Sequence, residues 1–291
     1  MFYLKLRAMA NNTLVIVGMH RSGTSVITQW LHKCGLQVGD NLLGPDTGNI
    51  EGHFEDLDFL RLHEDILFSQ NLPSSGLTEK AVTDVDFVKL VKLKNLIAEK
   101  NACHSQWAWK DPRTCLFLNI YREMLPDAKY LIILRDYKSV VSSLLKRDVE
   151  RLRKKLQAKN AVNRFFSKMR RKYNIDLLFK TQTEKYLKVW IAYNEEILKH
   201  VEQLPEDAFA IVDYKTLVEE DKPIFYHLTQ HWDFLLQYND FNTVYKQKLM
   251  SGATNIDEHT YNKGLLEKAM FIEAQLKNKL LHYSPALAKI A

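Results

Sequence analysis

A turn of small residues with a cation inside it, Gly18-Met19-His20-Arg21-Ser22-Gly23-Thr24-Ser25, is the first segment of the chain with an evident chemical use. It follows the apolar run Thr13–Val17 and precedes a pattern in which Val26, Ile27, Trp30 and Leu31 recur at helical spacing, which predicts a helix over Ser22–Lys33. In a strand–turn–helix junction glycine lets the backbone turn tightly, successive N–H groups converge, and the helix start adds partial positive charge, a combination that binds phosphate oxygens. Gly18 and Gly23 have the spacing of a nucleotide-triphosphatase loop, but Thr24 stands where that loop carries its Lys, and the cation is Arg21 instead. The segment therefore reads as an anion site of a different kind.

A second pair points to the same ligand. Arg135 directly follows the continuous apolar run Lys129–Leu134, and Ser143 comes eight residues later on a predicted helix, two turns along. An Arg fork beside a hydroxyl suits a phosphate dianion. Lys110 and Arg113 flank Asp111 and Pro112 just after the predicted strand Trp107–Trp109, as contacts to a transferred group or, more plainly, as a charged loop that Asp111 and Pro112 cap.

These residues need a scaffold that brings strand ends together. Strands are predicted at Thr13–Val17, Trp107–Trp109, Lys129–Leu134 and Phe209–Val212. Helices are predicted at about Leu57–Phe68, Asp86–Lys100, Ser139–Lys146, Glu184–Glu202, Ile224–Phe234 and Lys263–Leu281, with an exposed loop over Asn71–Thr83. Alternation of this kind implies a single α/β domain over 1–291, a three-layer fold with a central parallel sheet of four or five strands flanked by helices. Right-handed crossovers then put the loops after Val17, Trp109, Leu134 and Val212 along one edge.

Apolar residues make up 46% and charged residues 26% of the 291, ordinary for a globular chain. The net charge of +6 is local: Arg147–Lys180 holds twelve Lys/Arg against three Asp/Glu, so the rest is mildly acidic. In that segment Leu152, Leu156, Phe165, Phe166 and Met169 interleave with the basic residues, which predicts a basic amphipathic helix or helix pair: a solvated face, a lid over the acceptor, or a contact to a membrane surface or a partner. No second basic stripe accompanies it, so nucleic acid is not expected. Cys34, Cys103 and Cys115 lack metal-ligand spacing and fit reduced thiols; with no targeting or spanning segment evident, a cytoplasmic location without a metal is the expectation.

His20-Arg21-Ser22-Gly23-Thr24-Ser25, together with Arg135 and Ser143, resembles the sulfotransferases that use 3′-phosphoadenosine 5′-phosphosulfate (PAPS), in particular bacterial members with a Gly-Met-His-Arg-Ser-Gly-Thr-Ser loop. Gly52-His53-Phe54-Glu55, with His in place of an aromatic residue, and Lys110-Asp111-Pro112-Arg113 are further elements of the resemblance, which runs from about Thr13 to Leu217 and is interrupted by the basic segment. It implies a P-loop-like fold and sulfuryl transfer from PAPS to a hydroxyl of a small-molecule, carbohydrate or lipid acceptor, leaving 3′-phosphoadenosine 5′-phosphate (PAP). Arg21 and the amides of Ser22, Gly23, Thr24 and Ser25 would then hold the 5′-phosphosulfate, Arg135 and Ser143 the 3′-phosphate, and Tyr214 the adenine. Glu55 would be the base, with His53 and then Glu51 as rivals, and Lys110 and Arg113 would face the sulfuryl group or an acidic acceptor. Two other readings stay open at this point: a PAP- or PAPS-binding protein without catalysis, and a P-loop kinase, which would leave Arg135 and Ser143 unexplained.

Overall fold

A computed structural model describes residues 11–45, 52–82, 84–157, 171–245 and 256–280. Four strands, β1 (Asn12–Val17), β2 (Gln106–Lys110), β3 (Lys129–Leu134) and β4 (Phe209–Asp213), form one parallel sheet in the order β2-β1-β3-β4. In register, Val15 lies beside Trp109 and Tyr130, and Leu134 beside Asp213. The strands are apolar almost throughout because both faces are covered. Val15, Val17, Trp107, Trp109, Tyr130 and Ile132 point into one core, and Leu14, Ile16, Ala108, Leu131, Ile133 and Val212 into the other.

Beneath the first face lie α2 (Leu57–Ser69), α3 (Phe87–Cys103), α5 (Tyr137–Gln157) and α6 (Arg171–Val201), after a short α4 (Leu118–Met124). Against the second lie α1 (Thr24–Lys33), α7 (Tyr214–Glu219) and α8 (Lys222–Tyr226); α9 (Lys263–Lys277) packs on α6. Side-chain caps set several starts: Asp56 accepts from Asp58 N, Asp86 from Lys89 N and Asp213 from Lys215 N. The connections from β1 and β3 leave in opposite senses around the sheet, so the crevice between these two strands is the switch point where open α/β sheets bind ligands.

The structure changes several expected boundaries. The helix predicted from Ser22 begins at Thr24, because Gly23 sits in the left-handed region at φ 93° and cannot be part of it. The predicted helices at Ser139–Lys146 and Glu184–Glu202 are parts of much longer ones, α5 and α6, which pack on each other and run into the basic segment. Residues 158–170 of that segment, with Phe165, Phe166 and Met169, lie outside the described residues. The helix predicted over Ile224–Phe234 ends at Tyr226 and continues as a π-helical turn, His227–His231, before Asp233 at φ 55° reverses the chain. The loop expected to be exposed at Asn71–Thr83 is exposed at Asn71, Pro73–Ser75, Glu79 and Lys80 but anchored between them: Gly76, Thr78 and Val82 are buried, and the Gly76 carbonyl accepts from Tyr193 Oη at 2.6 Å. Among the described residues no helix is long and apolar enough to cross a membrane.

Candidate active site

The turn after β1 is tightly determined. Ser22 N donates to Met19 O at 3.1 Å, and Arg21 adopts φ 69°. A Cβ on Gly18 would stand 2.7 Å from Thr24 Cγ2, and one on Gly23 would stand 2.4 Å from the Tyr214 ring. Tyr214, the first residue of α7 beyond β4, thus rests directly on the glycine that opens α1. That helix has no side-chain cap, and the first amides of a helix have no intrahelical acceptor.

Arg135 reaches this turn from the end of β3. Its Nη1 donates to Arg21 O at 2.7 Å, its guanidinium lies 5.8 Å from the centre of the Tyr214 ring, and its own carbonyl accepts from Trp190 Nε1 at 3.2 Å. Burial lowers its pKa, with Tyr214 and Asp136 opposing the shift. No carboxylate among the described residues stands within ion-pair distance of it. Ser143 Oγ accepts from Arg21 Nε at 2.9 Å. Arg21, Ser22, Thr24, Arg135, Ser143 and Tyr214 are therefore brought together, with Arg21 as the piece between Arg135 and Ser143.

Glu55 stands on the other side of the turn. The segment before it makes its bend with Gly52 at φ 102° and Phe54 at φ 52°, and then pairs with Leu43, whose N donates to Glu55 O at 2.8 Å while its carbonyl accepts from His53 N at 3.3 Å. Glu55 precedes Asp56, the capping residue of α2, so its carboxylate is not spent on the helix start. It is 6% exposed and accepts from Lys110 Nζ at 2.8 Å; the same ammonium lies 3.3 Å from Ser25 Oγ. Arg113 Nη1 is 3.9 Å from the second Glu55 oxygen. His53 is half-buried beside this segment, and Glu51 lies outside the described residues.

Of the two readings of the Lys110–Arg113 stretch, the capping one is visible. Asp111 caps the 3-10 turn Pro112–Leu116 with Pro112 at its start, while Lys110 and Arg113 turn toward Glu55. Close by, His20 is held neutral: burial, and next the Arg113 guanidinium, lower its pKa to about 3. Sequence reasoning passed over His63, Glu64, Tyr121 and Tyr193, which complete this side. Only His63 left a signal, as a polar residue inside the apolar stripe Phe59, Leu60, Ile66 and Leu67 of α2. Among the described residues no group of three or more His, Cys, Asp or Glu is arranged to hold a metal ion.

The arrangement offers convergent amides and guanidinium groups for an anion on one side, and a buried carboxylate bridged by an ammonium on the other. That is the equipment for transferring an anionic group to a nucleophile whose proton must leave. The model of the sulfotransferase family matches residues 13–234. No curated protein matches the sequence. Among solved structures, a sulfotransferase from Mycobacterium avium superposes with a TM-score of 0.54 at 13% identity, covering 91% of this chain and 77% of its own. A sulfotransferase from Alicyclobacillus acidocaldarius gives 0.50 at 12% identity, covering 95% and 98%. These structures share the fold, and with the family match over most of its length the chain belongs to the sulfotransferase family.

Proposed function

We propose that the protein transfers a sulfuryl group from PAPS to a hydroxyl of a small-molecule, carbohydrate or lipid acceptor by in-line displacement. The observation that carries this reading is the position of Lys110: one ammonium touches both the buried carboxylate of Glu55 and the hydroxyl of Ser25, which joins the turn and that carboxylate in one site. The residues fit the nucleotide. Arg135 is a half-buried cation whose partners are a carbonyl and an aromatic ring, which leaves its charge for a ligand to neutralise.

PAPS supplies an activated sulfuryl group on a phosphate leaving group. In this reading Arg21 and the amides of Gly23, Thr24 and Ser25 take up the charge that grows on the 5′-phosphate, while the Ser22 amide holds the turn through Met19 O. Arg135 and Ser143 bind the 3′-phosphate, and Tyr214 borders the adenine. Glu55 receives the acceptor proton, a task for which its carboxylate is buried and already held beside the turn by Lys110; His53 is the second candidate. Lys110 holds Glu55 toward the turn and faces the transferred group. There is little covalent work for the protein, so positioning and charge stabilisation supply most of the rate.

The test is a calorimetric titration with PAP, with 5′-AMP and ATP as controls. Binding that requires the 3′-phosphate and disappears in Arg135→Ala supports the donor assignment. A preference for ATP with magnesium would overturn it.

A further inference from the structure

Behind Arg113 lies a chain of buried polar groups that the reading above does not use. His63, on α2, is fully buried; its ring stacks on Phe117 at 4.7 Å, and both nitrogens are engaged. Nδ1 is 2.8 Å from Asp111 Oδ2 and Nε2 is 2.6 Å from Tyr121 Oη. An ionised carboxylate only accepts, so Nδ1 carries the hydrogen of the first bond. Asp111 is ionised: burial alone would raise its pKa, but the Arg113 guanidinium and the His63 hydrogen bond outweigh burial and hold it well below the usual carboxylate range.

The other oxygen of Asp111 takes two bonds from Arg113, from its backbone N and from Nη1, each at 2.9 Å. The rest of the guanidinium is pinned as well, Nε on Ser74 O at 2.7 Å and Nη2 on Glu64 at 3.2 Å. What this clamp sets is the remaining approach, Nη1 to Glu55 at 3.9 Å. That separation is beyond a hydrogen bond, so its electrostatic effect depends on where the guanidinium is held.

We propose that His63 is a positioning residue for the reaction: through Asp111 it fixes the Arg113 guanidinium beside Glu55, and Tyr121 fixes His63 in turn. Packing alone does not account for it: an apolar side chain would fill the same space, and what the imidazole adds is a partner for the two buried polar groups on either side of it, Asp111 and Tyr121. Once the Nδ1 bond is lost, the Asp111 carboxylate is held only by Arg113 itself, and the guanidinium keeps Ser74 and Glu64 but loses a fixed anchor at Nη1, the nitrogen nearest Glu55. Tyr121 closes the far end of the chain: burial and then Asp111 raise its pKa well above that of a free phenol, so it keeps its proton and remains a hydrogen-bonding partner. The inference rests on Glu55 and Lys110 belonging to the transfer site.

The experiment measures PAP affinity by calorimetry and PAP release from PAPS, with water or 2-naphthol as the acceptor, in the whole chain and in His63→Ala, His63→Asn and Tyr121→Phe. The expected result for His63→Ala is PAP affinity and KM for PAPS within about twofold of the unaltered protein and kcat lower by about 30- to 100-fold, the scale of an ångström-sized misplacement. His63→Asn, which keeps a donor toward Asp111, recovers kcat to within about fivefold. Tyr121→Phe, which loses one hydroxyl and keeps its packing, lowers kcat about threefold to tenfold and keeps the inference testable if His63→Ala fails to fold. Unchanged kcat in His63→Ala or in Tyr121→Phe overturns it, as does a parallel fall of kcat, PAP affinity and folded fraction with no recovery in His63→Asn. If the unaltered protein binds no PAP, or binds it and releases none from PAPS, it is the reading of the site that fails, and this shows before any variant is made.

Discussion

The two sides of the turn after β1 handle charge in opposite ways. On the Arg135 side the guanidinium meets a backbone carbonyl and the face of Tyr214, with no carboxylate in reach among the described residues. On the Glu55 side every cation has an anion: Lys110 pairs with Glu55, and Arg113 with Asp111 and Glu64. In the proposed function the first arrangement is completed by an incoming anion. The second is complete as it stands, and it holds a carboxylate in place before anything binds. A donor site that must admit and release a nucleotide benefits from charge left for the ligand, whereas groups that must be aligned during the reaction benefit from being pinned beforehand.

Substitutions separate the two sides. Glu55→Gln keeps the shape and removes the proton acceptor, so kcat for PAPS turnover is expected to fall about a thousandfold with PAP affinity within about threefold; steady-state kinetics beside calorimetry checks this. Unchanged turnover would move the base to His53. Arg135→Ala is expected to weaken PAP binding about a hundredfold or more, while 5′-AMP, which lacks the 3′-phosphate, changes by less than about fivefold.

Stability without ligand gives the sharpest contrast. Lys110→Met leaves Glu55 buried beside a lost ammonium and is expected to cost about 3 kcal/mol, because removing one partner of a buried pair strands the other. Arg135→Met strands no charge and is expected to change stability by less than about 1 kcal/mol. Denaturant unfolding of both variants measures the difference, and equal losses would break the comparison.

The smallest effect concerns pH. Burial lowers His20 to about 3 and His200 to about 4, from about 6.5 in an unfolded chain. The unfolded chain therefore takes up these protons first: their contribution is full above about pH 6.5 and is lost as pH falls toward 4. The melting temperature should fall between pH 7 and pH 5, and His200→Leu should flatten that fall, since both His200 nitrogens lack a hydrogen-bond partner.

Much of this was legible in the residues. β1 and β3 are continuous apolar runs, and a sheet covered on both faces admits little else. The turn Gly18–Ser25 and Arg135 stood out because each directly follows a strand, and Ser143 because it lies two helical turns on from Arg135. Helix lengths were harder: Ser139–Lys146, the basic amphipathic stretch and Glu184–Glu202 read as separate pieces, and nothing local says that α5 and α6 each run unbroken through a join. The Asn71–Thr83 loop looked exposed because it is polar and lacks a period, yet Tyr193 and Arg113 hold it down through backbone carbonyls that no side-chain pattern reveals.

The sequence by itself determined the parallel sheet, the turn that follows its first strand, and the edge at which Arg135 and Tyr214 emerge, because these follow from local pattern and the handedness of crossovers. The tertiary structure alone decided that Ser143 meets Arg21, that one ammonium joins Glu55 to Ser25, and that His63 stands behind Arg113. Each of these is a contact between residues from 48 to 122 positions apart, set by how strands and helices stack and invisible to any window along the chain.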